Sequence, residues 1–259
     1  YNTAVKLAEK GYKTVLVDLD PQCNLTRLAL GEEYYANTIF EQKTIYDILE
    51  KVITGGGDID TDFELEHAKG VSDNLFLVRG SINLSEYENL LLTAYSNAAQ
   101  GLPQGYFATS AIDRFLNEKG LADEVDIFVI DVSPSLGLLN RIIMLGSDYF
   151  IVPMMPDAFS IQGVENLGKV LSEWKRNWKI TGKTLSKERN IPAGMVLDGE
   201  GLFIGYILNS YNIYGQKIIK DQNKYAEKIP KLVHKHLSAD HSRNGLVERS
   251  GKDALQNIQ

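Results

Sequence analysis

Two short apolar runs that each end in aspartate constrain the fold of this chain more than any other feature. Residues 14–19 read TVLVDL and lead into Asp20; residues 126–132 read DIFVIDV. Runs of this length, rich in Val, Ile and Leu and without polar alternation, are strands buried on both faces, as in parallel sheets covered by helices. Before the first run, Ala4, Leu7 and Ala8 recur at helical spacing and Gly11 stands as a stop. Helix, glycine, buried strand and acidic terminus form the second half of a βαβ unit.

The same alternation continues. Thr44-Ile-Tyr-Asp47 is a capping-box pattern before Ile45, Ile48, Leu49 and Val52. Gly55–Gly57 and the acidic stretch to Glu66 read as an exposed loop, residues 74–78 as a strand, and Ser85-x-x-Glu88 as the cap of another helix. Residues 96–109 (SNAAQGLPQGYFAT) are expected to be a surface loop or insertion, followed by a helix from Ile112. Strands are expected at residues 149–154 and 202–209, with a helix capped by Ser160 between them and a Lys-rich helical region at 211–237. The expected fold is α/β, a mostly parallel sheet flanked by helices on both faces, in a single domain over residues 1–259.

Asp18, Asp20 and Asp131 fall at strand ends, where open α/β sheets concentrate their chemistry. A single aspartate there often does no more than cap the next turn. Carboxylates at the ends of two separate buried strands also suit Mg²⁺ held through water and an oriented nucleophile. The single cysteine, Cys23, excludes a disulfide scaffold and a Cys-rich zinc site. No apolar run approaches the length of a spanning helix, and a soluble, cytoplasmic protein is expected.

Several ordered segments resemble the ParA family of partition ATPases, a branch of the deviant-Walker-A group that includes MinD. VLVDLDPQCNLT (15–26) resembles the segment after the family's first helix. Residues 126–167, from DIFVIDVSPSLGLLN onward, resemble its Walker B region with the next strand and helix; TIYDIL (44–49), NLFLVRGSINLSEYENLL (74–91) and IGYILNSYN (204–212) match further stretches in order. The resemblance implies that Asp20 orients the hydrolytic water, with Asp18 supporting it from the same turn. It implies that Asp131 grips Mg²⁺ through water, that Asn209 bonds adenine, and that Gln22 and Asn24 lie in a switch sensing the γ-phosphate. Cys23 stands where the family usually has glycine.

The resemblance further implies that the α/β fold is P-loop NTPase-like, with ATP/ADP and Mg²⁺ as cofactors, an ATP-dependent homodimer, non-specific DNA and a ParB-like centromere-binding partner. It implies no membrane partner and a nucleoid-associated location. The family's Gly-rich phosphate loop ending in Gly-Lys-Thr-Thr does not occur in the 259 residues. It is expected before Tyr1, with its strand, and the last residues, KDALQNIQ, are expected to be cut within or before a final helix. Two other readings stay open: a nucleotide-binding scaffold that does not hydrolyse, and a MinD-like positioning ATPase.

Charge is uneven: residues 1–130 carry a net −11 and residues 131–259 a net +4. In the second half Lys217, Lys220, Lys224, Lys228, Lys231 and Lys235 fall within about 80° on one helical face, with Pro230 suggesting a second helix starting there. This is either a solvated face or a surface for DNA phosphates; six such contacts would give a salt slope near −5. Lys169, Lys175, Arg176, Lys179, Lys183, Lys187 and Arg189 form a second basic cluster, with Trp174 and Trp178 expected in the core rather than stacking on bases. His234, His236 and His241 share no zinc-ligand spacing.

Overall fold

The computed structural model describes residues 1–70, 72–209, 213–214, 217–218 and 224–238. The chain divides into two compact units, Tyr1–Ile143 with Thr181–Leu197, and Met144–Ile180 with the remainder.

In the first unit, α1 (Asn2–Glu9) leads into β1 (Thr14–Asp18), followed by α2 (Asn24–Leu30), α3 (Glu32–Thr38) and α4 (Ile45–Thr54). Then come β2 (Glu66–His67), β3 (Leu75–Val78), α5 (Leu84–Ala99), α6 (Pro103–Thr109), α7 (Ala111–Ala122), β4 (Ile127–Asp131) and the start of α8 (Leu138–Gly146). The sheet order is β2-β3-β1-β4. β1 pairs in parallel with both β3 and β4, and only the short β2 runs antiparallel. The apolar run predicted β1 well: all five of its residues are buried, with Ala4, Ala8, Leu16, Leu25, Ala29, Leu75 and Leu77 packed around it. β4 differs, because it is an edge strand among the described residues and its apolar side chains are only half-buried.

Local chemistry sets the boundaries. Asp47 accepts both the amide and the hydroxyl of Thr44 at 2.7 Å, which starts α4 where the capping pattern placed it, and Gly55 ends it in a left-handed conformation. The cap expected from Ser85 is corrected. α5 begins at Leu84 after Asn83, and Ser85 lies inside the helix with its hydroxyl on the Ile82 carbonyl.

Residues 96–109, expected as a loop, are the end of α5, a short turn and α6. Pro103 sits in the first turn of α6, where its missing N–H costs nothing. The helix is drawn inward by Tyr87, whose hydroxyl donates to the Ala108 carbonyl at 2.6 Å, and by Tyr106, which donates to the Gly182 carbonyl at 2.7 Å. Gly105 lets α6 touch α5: a Cβ there would lie 2.1 Å from the Ala98 nitrogen.

The second unit pairs β5 (Tyr149–Met154) with β6 (Leu202–Leu208) in parallel. Its long helix, α9 (Ala158–Asn177), runs into a π turn, Trp178–Lys183, after which α10 (Thr184–Glu188) belongs to the first unit. Asp157, not Ser160, caps α9: its side chain accepts the Ser160 amide, and the Ser160 hydroxyl instead takes the Met155 amide at 3.0 Å. Trp174 and Trp178 are buried, as the i, i+4 spacing predicted. In the region expected to be helical at 211–237, the described residues hold a strand pair, β7 (Ile213–Tyr214) with β8 (Lys217–Ile218), then helical backbone at 224–226 and a second helix, α11 (Ile229–Val233), with Pro230 in its first turn. α11 and the π turn His234–Ser238 pack Ile229, Val233 and Leu237 beside Val164, Leu171 and Trp174.

The tight α5–α6 contact makes a prediction. Gly105→Ala should destabilise the protein by about 1–3 kcal/mol through overpacking against backbone that cannot retreat, read as a lowered denaturation midpoint. An unchanged midpoint would refute the contact.

Candidate functional site

The parallel register of β1 and β4 brings the acidic ends of the two strands together. Asp18 and Asp131 are partners in that register, and the Leu19 amide donates to the Asp131 carbonyl at 2.9 Å. Strands so paired lie about 4.8 Å apart, so the two carboxylates belong to one place.

Asp18 is fully buried. Its Oδ2 accepts the Thr26 amide at 2.8 Å and the Thr26 hydroxyl at 2.7 Å, and its Oδ1 accepts the Asp20 amide at 3.2 Å. Burial nevertheless holds its carboxyl above the ordinary range; the three donors pull it down, and the charge of Asp20 adds to the rise. Asp131 is solvent-exposed at its tip but crowded by protein on one side. Its carboxyl is raised by partial desolvation first and then by the charge of Asp18. The amino end of α1 lies near Asp131. A helix amino terminus with free N–H groups favours anions.

Asp20 is half-buried in the turn after β1. Its Oδ1 accepts the Gln22 amide at 3.0 Å and its carbonyl accepts the Cys23 amide at 2.9 Å. Its Oδ2 has no hydrogen bond among the described residues. Gln22 and Asn24 are exposed in the same turn, Asn24 as the first residue of α2. Cys23 adopts the left-handed conformation, φ 53° and ψ 33°, that a glycine would take. Its thiol is buried and pushed up to about 12, by burial first and then by Asp18 and Asp20.

Sequence reasoning missed two side chains that build this region. Thr26 joins Asp18 to the loop after β3, accepting the Gly80 amide at 2.9 Å. Asn140, buried in the first turn of α8, donates to the Ser133 carbonyl at 2.6 Å and the Ser135 carbonyl at 2.7 Å, which closes the loop after Asp131. Its Oδ1 is buried without a hydrogen-bond partner among the described residues.

Asn209 belongs to the second unit, exposed just beyond β6, with its amide donating to the Met154 carbonyl at 2.8 Å. The single stripe of six lysines is corrected. Lys217 lies on β8 and Lys220 falls outside the described residues, while Lys224, Lys228, Lys231 and Lys235 are exposed at and around α11. Lys175 of the second basic cluster is partly buried, its ammonium donating to the Gly201 carbonyl, and desolvation lowers its pKa. Among the described residues no group of three or more His, Cys, Asp or Glu is placed to cage a metal, and no helix is long and apolar enough to cross a membrane.

Residues 1–183 match the AAA domain family AAA_31. The chain belongs to this family. The family's ParA character, read from the motifs, agrees with the relatives. An uncharacterised protein of Methanocaldococcus jannaschii, MJECL24, is 31% identical over 68% of this chain and 60% of its own length. The virulence plasmid ParA family protein pGP5-D of Chlamydia psittaci is 29% identical over 76% of this chain and 67% of its own. The chain thus spans about two thirds or less of these relatives.

Solved structures agree on the fold. Protein DIP2308 of Corynebacterium diphtheriae superposes with a TM-score of 0.74 at 22% identity, covering 93% of this chain and 84% of that one. Cobyrinic acid a,c-diamide synthase of Mycobacterium smegmatis, solved with bound ADP and magnesium, gives 0.57 at 20%, covering 88% and 73%. These neighbours share the α/β fold, with a mostly parallel sheet flanked by helices.

The electrostatics of the site make two outcomes measurable. The Cys23 thiol should react with iodoacetamide at pH 8 at least about 100-fold more slowly in the folded protein than in denaturant, because little thiolate forms; equal rates would contradict its burial. Asp18 holds its proton more tightly folded than unfolded, so the stability it contributes is present below the ordinary carboxylate value and is lost as pH rises through the elevated one. Without divalent ions, Asp18→Asn should therefore gain stability relative to the wild type as pH rises from about 4, the ordinary carboxylate value, upward. Parallel melting curves across that range would refute this.

Proposed function

We propose that this protein is a Mg²⁺-dependent partition ATPase whose nucleotide state gates a homodimer and its grip on DNA. One observation carries the reading: the register that sets Asp18 beside Asp131, with the amino end of α1 close by. The AAA_31 match and the ParA-family relative from Chlamydia psittaci support it, as does a neighbour of the same fold solved with ADP and magnesium.

The donor set suits Mg²⁺, which takes one or two carboxylates beside phosphate oxygens and keeps several waters. Asp131 is the carboxylate available for this role; Asp18 is already committed to Thr26 and Asp20. Bound Mg²⁺ would supply charge neutralisation at the β- and γ-phosphates. The chain's own residues do the rest. The amino end of α1 receives phosphate charge. Asp20, with Oδ1 fixed by the Gln22 amide, presents Oδ2 to the attacking water. Gln22 and Asn24 lie on the same exposed turn, in reach of whatever occupies it. Asn209 is the residue assigned to adenine.

The reading needs a phosphate loop that the 259 residues do not contain. β4 supports a place for the strand that carries it. Its sequence, IFVID, is that of a buried central strand, yet one of its edges is unpaired among the described residues. An apolar edge of this kind invites pairing. Lys224, Lys228, Lys231 and Lys235 are the proposed phosphate contacts for DNA, a ParB-like protein the proposed partner, and the cytoplasm, on the nucleoid, the proposed location.

The test uses the protein together with its phosphate loop. Mg²⁺-dependent phosphate release is expected, and Asp20→Ala should lower it by about 100-fold or more while ATP still binds. Absence of release with DNA and partner present would identify a nucleotide-binding scaffold instead. For the DNA contacts, log affinity against log salt should fall with a slope near −3.6 for four phosphate contacts. Reversing those four lysines to glutamate should abolish binding; unaltered binding would remove them from the interface.

A further inference from the structure

Asp20 can orient a nucleophile only if its turn is held still, because misplacing a reacting group by about 1 Å costs on the order of 100-fold in rate. The restraint on the turn can be traced outward through hydrogen bonds. The Asp20 amide is bound to Oδ1 of Asp18, and Oδ2 of Asp18 is bound twice by Thr26. Thr26 is fully buried and both capacities of its hydroxyl are used: the O–H donates to Asp18, and a lone pair receives the Gly80 amide.

Gly80 is itself a fixed point. The preceding residue, Arg79, is almost fully buried and grips Glu66 with two bonds, Nε to Oε2 at 2.6 Å and Nη2 to Oε1 at 2.8 Å. It also donates to the carbonyl and hydroxyl of Thr38, and its own carbonyl receives the Ile45 amide at 2.8 Å. The ends of α3, β3 and α4 therefore converge on the peptide that offers Gly80 N–H. No side chain larger than hydrogen fits there: a Cβ on Gly80 would lie 2.9 Å from Asp18 Cγ and 3.1 Å from Cys23 Sγ.

We propose that Thr26 is the positioning residue for Asp20: among the described residues its hydroxyl is the hydrogen-bonded link between the rigid Gly80 peptide and the Asp18 carboxylate that holds the Asp20 turn. A methyl group in place of the hydroxyl leaves the Gly80 amide buried and unpaired and takes one of three donors from Asp18. Asp18 then keeps the Thr26 and Asp20 amides but loses its connection through the hydroxyl to the Gly80 peptide. The inference rests on the ATPase reading for its kinetic consequence but not for its structural one.

The experiment has two arms on the protein with its phosphate loop, using Thr26→Val, Thr26→Cys and Thr26→Ser. In the first arm, Thr26→Val should lower kcat for ATP hydrolysis by 10- to 100-fold with KM within about threefold of wild type. Thr26→Ser should restore most of the rate, and Thr26→Cys, a weak donor of similar size, should fall between. In the second arm, without nucleotide, the Asp20 and Cys23 amides should exchange with solvent at least about tenfold faster in Thr26→Val, while those of Thr14 and Ile45 stay unchanged.

A wild-type rate in Thr26→Val, an equal loss in Thr26→Ser, or unchanged exchange at Asp20 and Cys23 overturns the proposal. If the wild type releases no phosphate, the ATPase reading falls by itself and the exchange arm still decides the link. If Thr26→Val does not fold, Thr26→Cys carries both arms.

Discussion

The pairing of β1 with β4 in one register is the constraint on which the rest of the site depends. It sets two carboxylates, Asp18 and Asp131, on adjacent strands at the sheet's carboxyl edge. Burial raises the pKa of both, and the charge of Asp18 raises that of Asp131 further. The fold offsets the cost unequally. Asp18 receives three hydrogen-bond donors, whereas Asp131 has the positive end of α1 nearby and open solvent at its tip. The unequal treatment separates them: one carboxylate is buried and committed to the protein's own donors, and the other is exposed to solvent.

A rigid frame surrounds this pair. The Arg79–Glu66 ion pair is buried on the arginine side, and such pairs add little net stability because desolvation opposes their attraction. Its effect here is geometric. With Thr38 and Ile45 bonded to the same residue, it determines where the loop after β3 leaves the sheet. Asn140 does the equivalent for the loop after β4, spending both hydrogens of one amide nitrogen on two carbonyls of a single turn. The two loops that flank Asp18 and Asp131 are thus each tied by a buried polar side chain rather than by apolar packing.

What was legible in the sequence divides along physical lines. β1, β5 and the start of α4 were readable because buried strands and capping boxes are local patterns. Asp18, Asp20 and Asp131 were readable because strand ends are predictable from those patterns. The residues 96–109 misled because Gly101, Pro103 and Gly105 punctuate like a loop. Here Pro103 opens a helix and Gly105 admits a neighbouring backbone. Thr26 was invisible because its partner Gly80 lies 54 residues away, and no spacing rule joins them. The lysine stripe failed for a related reason: a 3.6-residue rhythm across Lys217 carries no weight where the backbone pairs as a strand.

Cys23 shows how the turn tolerates a residue that the resemblance would make glycine. A left-handed conformation costs a residue with a Cβ about 1–2 kcal/mol. The side chain that causes the cost also lowers it, because the sulfur fills the space left where Gly80 has no Cβ, among groups that would otherwise enclose a void. Removing a small buried side chain forfeits a comparable amount in transfer and contact energy. The strain at position 23 and the missing side chain at position 80 are therefore two sides of one packing solution, and each is acceptable because of the other. A turn built in this way keeps the backbone path that glycine would allow while giving up glycine's freedom to leave it. That loss of freedom suits a segment whose task is to hold one carboxylate oxygen still.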